Sequence, residues 1–174
     1  MINNKLEELI SEKDILNKVL ELGSAISSDF KDKELVIVSV LKGSFIFTAD
    51  LVRHIDIPIV IGFIAASSYG ESTISSGKLV IQYDIDVEIK GKHVVIVEDI
   101  IDTGLTIAEM KEYLENRGAL SVKVCTIFDK PERRKVDVHI DYTGFVIPNE
   151  FVVGYGLDYN NPVSYTHLTL PTKA

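Results

Sequence analysis

A single cysteine, Cys125, rules out an internal disulfide and any zinc site built on paired cysteines. It lies in the apolar run 122–128, where a buried, inert thiol is the expected state. Positive charge is also short: 18 Lys and Arg against 26 Asp and Glu leave a formal net charge of −8. No broad attraction to nucleic acid or to anionic lipid is therefore expected. A small anionic substrate is not excluded, because local donors or a metal ion suffice to hold one. No apolar run approaches the ~20 residues that span a membrane, and residues 1–8 lack the long apolar core of a signal peptide. The expectation is a cytoplasmic chain with neither a membrane nor a nucleic-acid partner. Repeats, Pro/Ser-rich linkers and shifts of composition are missing too. The 174 residues, 46% hydrophobic and 25% charged, suit one domain with a sizeable core.

What is present is an alternation of apolar periods. Leu6, Leu9 and Ile10 sit at helical spacing, and a second helix is expected through Ile15, Val19, Leu22 and Ile26 with Ser11 as its N-cap. The run 34–41 (ELVIVSVL) is nearly continuous in β-branched residues, as in a strand buried on both faces. Lys42-Gly43-Ser44 breaks it before a helical pattern over 45–55 and a further buried strand over 57–66. The stretch 67–78 (SSYGESTISSGK) is polar and long enough to be a mobile loop.

A shorter strand is expected over 79–85, a turn over 90–92 and the purest strand over 93–97. Thr106 then caps a helix through Ile107, Met110 and Leu114 that ends near Gly118. Strands follow at 122–128, 138–140, 145–147 and 151–155. Strands alternating with helices predict an α/β fold with a mainly parallel sheet, whose ligands bind beyond the carboxyl ends of the strands. Attention falls on the loops after Leu41, Val97 and Phe128.

The densest chemistry is in 93–106, HVVIVEDIIDTGLT. The backbone N–H groups of Thr103, Gly104, Leu105 and Thr106 open a helix and, with two threonine hydroxyls, form a phosphate cradle. Gly104 lets the backbone come close to an anion. Glu98 and Asp99 leave the strand beside that cradle, where they can accept from a sugar diol or help hold a hard cation. Asp102, at the tip of the turn, can take a proton from a nucleophile held above it. Each part alone has a plainer reading: an acidic pair as solvated surface, Thr-Gly as an ordinary helix start. Their conjunction is much less common by accident. The rival phosphate motifs G-x-x-x-x-G-K-[ST] and G-x-G-x-x-G are absent. His54, His93, His139 and His167 are scattered and form no catalytic pattern.

The run VVIVEDIIDTGLT resembles the phosphoribosyl-pyrophosphate loop of type I phosphoribosyltransferases, in the form found in hypoxanthine-guanine enzymes. Four further segments agree in order, so that the likeness covers roughly 6–160. Leu41-Lys42-Gly43-Ser44 is similar to the pyrophosphate-binding loop, and Ser68-Tyr69 falls in the flexible loop that closes over substrate. Phe128-Asp129-Lys130-Pro131 resembles the segment whose lysine recognises the purine's exocyclic oxygen. FVVGYGLDY, from Phe151 and Val152 to Asp158 and Tyr159, looks like the purine-binding segment, with the Phe151 ring stacking on the base. Without such neighbours, Lys42 and Lys130 would read as exposed lysines and Phe151 as a core aromatic.

The resemblance implies a mainly parallel twisted sheet flanked by helices, with a small hood formed by the terminal segments. It also implies transfer of a phosphoribosyl group to hypoxanthine or guanine, with Asp102 as base, Mg²⁺ near Glu98 and Asp99, and Lys42 and Gly43 at the leaving pyrophosphate. The expected partners are thus a purine base and phosphoribosyl pyrophosphate, in a homodimer or homotetramer. Two alternatives stand beside it: a transferase preferring xanthine or adenine, and a regulator of the same fold that binds nucleic acid. The second is disfavoured by the charge of −8. After Tyr159 the likeness stops, and Ser164 stands where the family has an arginine for the pyrophosphate. The ending VSYTHLTLPTKA reads as foreign sequence joined to a truncated frame. The expectation is a domain over 1–160 and a non-native or disordered tail over 161–174, with a divergent natural terminus as the other reading.

Overall fold

The computed structural model describes residues 6–68, 79–157 and 168–171. The apolar runs become the strands of one six-stranded sheet in the order β4-β3-β2-β5-β6-β7. Its members are β2 (Leu35–Val40), β3 (Ile59–Ser68), β4 (Leu79–Tyr83), β5 (His93–Ile101), β6 (Ser121–Asp129) and β7 (Tyr142–Val146). All neighbours are parallel except β4, which runs antiparallel to β3 along the edge.

Alternation along the parallel strands builds two cores. Leu35 and Ile37, Val95 and Val97, and Cys125 and Ile127 face helices α1 (Glu12–Asp29) and α2 (Phe45–Val52). There they meet Ile15, Val19, Leu22 and Ile26 of α1 and Phe47 and Leu51 of α2. The even-numbered Val36, Val38, Val94, Ile96, Val122 and Val124 face helix α3 (Leu105–Asn116) through Ile107, Met110 and Leu114. Strands covered on both faces need no polar side, which accounts for their unbroken apolar runs. Ser11 caps α1 as expected, its hydroxyl accepting from Asp14 N at 3.2 Å. Burial of Cys125 pushes its thiol well up, in keeping with an inert core residue. No helix of the described residues is long and apolar enough to cross a membrane.

Several boundaries differ from the sequence pattern. Leu6–Ile10 is a strand, β1, paired antiparallel with β8 (Leu168–Pro171), rather than a helix. Five residues sample little more than one helical turn, so their spacing decides nothing and the available partner does. This two-stranded ribbon joins the two ends of the described chain.

β5 continues past Val97 to Ile101 because β6 stays alongside, pairing Glu98 with Thr126 and Ile100 with Phe128. The cap of α3 is Gly104, at φ 81°, so Thr106 lies inside the first turn. No strand forms over 138–140; the approach to β6 begins at Asp141, whose N–H donates to Val124 O at 3.0 Å. No strand forms over 151–155; residues 154–157 make a turn closed by a Gly154–Leu157 bridge, where Gly154, Tyr155 and Gly156 all have positive φ. Ten residues of the expected 67–78 loop, 69–78, lie outside the described residues, as do 158–167.

Candidate active site

The carboxyl ends of β2, β5 and β6 open onto one crevice. After β2 the chain turns through Leu41, Lys42 and Gly43 to Ser44, with a cis peptide between Leu41 and Lys42. Buried hydroxyls fix this turn. Ser44 Oγ donates to Val40 O at 2.5 Å, and Ser39 Oγ lies 3.0 Å from Ser44 Oγ and 2.8 Å from Thr48 Oγ1. Gly43 faces Asp99 so closely that a Cβ there would lie 1.9 Å from Asp99 Oδ2. Only glycine lets the β2 loop and the β5 carboxylate share this wall.

Glu98 and Asp99 are drawn into the sheet, whereas the sequence placed them at a strand end open to solvent. Asp99 is only 7% exposed, and its carbonyl accepts from Thr126 Oγ1 at 3.2 Å. Glu98 Oε1 accepts the Asp99 N–H at 3.1 Å. Burial first, and the neighbouring Asp99 charge second, hold the Glu98 carboxyl well above its ordinary range. The depth comes from the four extra residues of β5, a feature of strand pairing that local sequence does not carry.

Beyond Ile101, Asp102 turns one oxygen outward. Its Oδ2 lies 3.2 Å from Arg133 Nη1, while Oδ1 is buried with no hydrogen-bond partner among the described residues. Thr103 O accepts from Lys135 N at 2.9 Å and from Val136 N at 3.4 Å, which ties the cradle to the loop after β6. Arg134, ion-paired with Asp129, packs its Cδ under Gly104, 2.9 Å from where a Cβ would be. Lys130, 7% exposed, donates from Nζ to Glu150 O at 2.8 Å.

Two cavities share the wall made by Gly43, Asp99, Ile100 and Asp102. The larger, about 700 Å³, brings together Lys42, Lys130, Phe151 and Val152. The smaller, about 430 Å³, is lined by Glu98, Thr103, Gly104 and Thr106. Phe151 is 53% exposed, as a ring offered to a flat ligand must be. Leu105 opens α3 and lines neither cavity. Ser68 ends β3, while Tyr69 and Asp158 lie outside the described residues. Phe45 and Ile46 also line the larger cavity, although helical periodicity gave them only a place in α2. Phe45 is 55% exposed at the helix start, a fact that sequence periodicity does not carry. Arg133, in the short 3-10 turn Pro131–Arg133, is a further lining residue.

A helix start with paired threonines and a lysine-and-aromatic slot thus meet at a shared acidic wall. A profile of the phosphoribosyl transferase domain matches residues 6–160, and the chain belongs to that family. Within the family its relatives are purine enzymes. The hypoxanthine phosphoribosyltransferase of Haemophilus influenzae is 46% identical over 162 residues, spanning 91% of this chain and 90% of that protein. The hypoxanthine-guanine phosphoribosyltransferase of Bacillus subtilis is 46% identical over 160 residues, 91% and 89% of the two chains. Among solved structures, a hypoxanthine phosphoribosyltransferase from Staphylococcus aureus superimposes with a TM-score of 0.91 at 41% identity, covering 95% of this chain and 91% of that one.

Proposed function

We propose that the protein transfers the phosphoribosyl group of phosphoribosyl pyrophosphate to hypoxanthine or guanine, giving IMP or GMP and pyrophosphate. The observation that carries this reading is the pair of cavities joined at Gly43 and Asp99, one suited to a purine and one to a sugar phosphate. The base lies in the larger cavity against Phe151, with Lys130 donating to its six-position oxygen and Val152 lining the slot. The 5′-phosphate sits on Thr103, Gly104, Leu105 and Thr106, where backbone N–H groups at a helix start favour anions. Lys42 and the Gly43 N–H receive the pyrophosphate. Ser68, Tyr69 and Asp158 complete the substrate contacts.

The new bond forms between a purine nitrogen and the anomeric carbon. The bond from that carbon to the pyrophosphate oxygen breaks, and its electron pair leaves with the pyrophosphate. Asp102 accepts the proton that the purine gives up. The sugar passes through a cationic, oxocarbenium-like state, so positioning and charge provide most of the acceleration.

Glu98 and Asp99 fit a magnesium ion: both line the smaller cavity, and of the two causes that raise the proton affinity of Glu98, burial first and the Asp99 charge second, a hard cation relieves the second. No group of three or more metal-ligating side chains occurs among the described residues, so substrate oxygens and water would fill the remaining positions. Bound there, Mg²⁺ would offset the charge of the pyrophosphate. The enzyme acts in the cytoplasm as a homodimer or homotetramer.

Turnover with each base separately, in the presence of Mg²⁺ and phosphoribosyl pyrophosphate, tests the reading. Hypoxanthine and guanine should turn over. Adenine, with an amine where Lys130 needs an acceptor, should be poorer by up to ~10⁴. Adenine turning over as fast as hypoxanthine overturns the base assignment.

A further inference from the structure

The two arginines that follow Lys130 are put to different uses. Arg134 is largely buried in its pair with Asp129 and packs beneath Gly104. Arg133 is half-exposed, lines the larger cavity and meets Asp102 Oδ2 at 3.2 Å. The other oxygen of that carboxylate, Oδ1, is buried with no hydrogen-bond partner among the described residues. Oδ2 is therefore the edge through which Asp102 can work, and Arg133 is the cation that meets this edge. With Oδ1 anchored by none of the described residues, the plane of the carboxylate is set by what holds Oδ2.

An exposed ion pair adds little to stability, so the consequence of this contact lies in orientation. Guanidinium is planar, has five donors and no acceptor, and stays charged, so it cannot compete with Asp102 for a proton. A carboxylate oxygen accepts more than one hydrogen bond. Oδ2 can hold Arg133 and still receive a second donor from the cavity.

We propose that Arg133 is a positioning residue for the transfer reaction: it holds the Asp102 carboxylate in the plane in which the incoming purine's N–H meets it. The proposal rests on the reading of Asp102 as proton acceptor. Arg133 acts through Asp102 and not on the pyrophosphate, which Lys42 and the Gly43 N–H receive. An interaction that only orients a reacting group shows in the chemical step and leaves the affinity for the other substrate alone.

The test is a double-mutant cycle of Arg133→Met and Asp102→Asn, with Arg133→Lys as the conservative variant. The readouts are the single-turnover rate, KM for each substrate and the melting temperature. Arg133→Met should lower the single-turnover rate about fivefold with KM for phosphoribosyl pyrophosphate unchanged. Arg133→Lys should restore at least half of the loss, and in the Asp102→Asn background the Met substitution should have almost no effect. An equal loss in both backgrounds, a loss confined to KM for phosphoribosyl pyrophosphate, or a Met variant as fast as the parent each overturns the positioning role. Full turnover by Asp102→Asn alone overturns the proton-acceptor reading itself. That failure is distinct, because the positioning role fails by itself when Asp102→Asn is slow and Arg133→Met is not.

Discussion

Glu98 is the residue whose protonation should be felt most by the folded chain. Burial and the Asp99 charge raise its proton affinity above the ordinary 4.5. The folded state therefore binds this proton more tightly than the unfolded state does, and stability falls as pH rises from the ordinary value through the raised one. Glu98→Gln removes that loss. In metal-free buffer it should raise the melting temperature at neutral pH, and the gain should fade as pH falls below the ordinary value of 4.5, where the parent carboxyl becomes neutral in both states. Thermal unfolding across this range checks the sign, and a variant less stable at pH 7 would count against it. KM for phosphoribosyl pyrophosphate should rise in the same variant, since a ligand of the magnesium ion is lost. At this scale the sequence was informative about identity and poor about depth. The run EDIIDTGLT, Leu105 apart, lies along the smaller cavity, and its acidic and Thr-Gly positions were legible because each type has a chemical use beside a helix start. Burial of Asp99 was not legible, because it depends on how far β6 accompanies β5.

Among elements, the start of α3 is the most exacting. Gly104 combines φ 81° with an Arg134 Cδ that would lie 2.9 Å from a Cβ. Alanine in the left-handed region costs about 1–2 kcal/mol, and here it must also displace the chain under the cradle. Gly104→Ala should lower stability by at least that amount in chemical denaturation and raise KM for phosphoribosyl pyrophosphate. An unchanged KM would mean that the loop does not hold the phosphate. Long periodic elements such as α1, β2 and β6 were legible because many side chains repeat one instruction. β1 was misread because five residues repeat nothing. The run 151–155 was misread because its apolar alternation hides three consecutive positive φ values at 154–156.

For the molecule as a whole, the two cores lie on either side of the six-stranded sheet, and Leu9 and Ile10 of β1 pack against one of them as partly buried neighbours. Deleting 163–174 removes β8 and keeps every described member of both cores in the chain. Unfolding should stay cooperative, with the melting temperature lowered by roughly 2–4 °C for each kcal/mol that the ribbon contributes. Loss of cooperative unfolding would make the ending part of the fold's foundation. The α/β class was legible because strand and helix periods alternate along the chain. The strand order was not, because pairing among six strands is decided by contacts that sequence separation conceals.

The close approach of Gly43 to Asp99 has a consequence for how such a protein can change over generations. No side chain fits at 43 while an aspartate occupies 99 in this place, so the two positions are epistatic. A lineage that leaves glycine at 43 must first shorten or redirect residue 99. The order of the two steps is thereby imposed by a Cβ that would lie 1.9 Å from Asp99 Oδ2. Gly43→Ala should be severely deleterious alone and tolerated better for folding beside Asp99→Gly, a pairwise interaction readable in the melting temperatures of the four combinations.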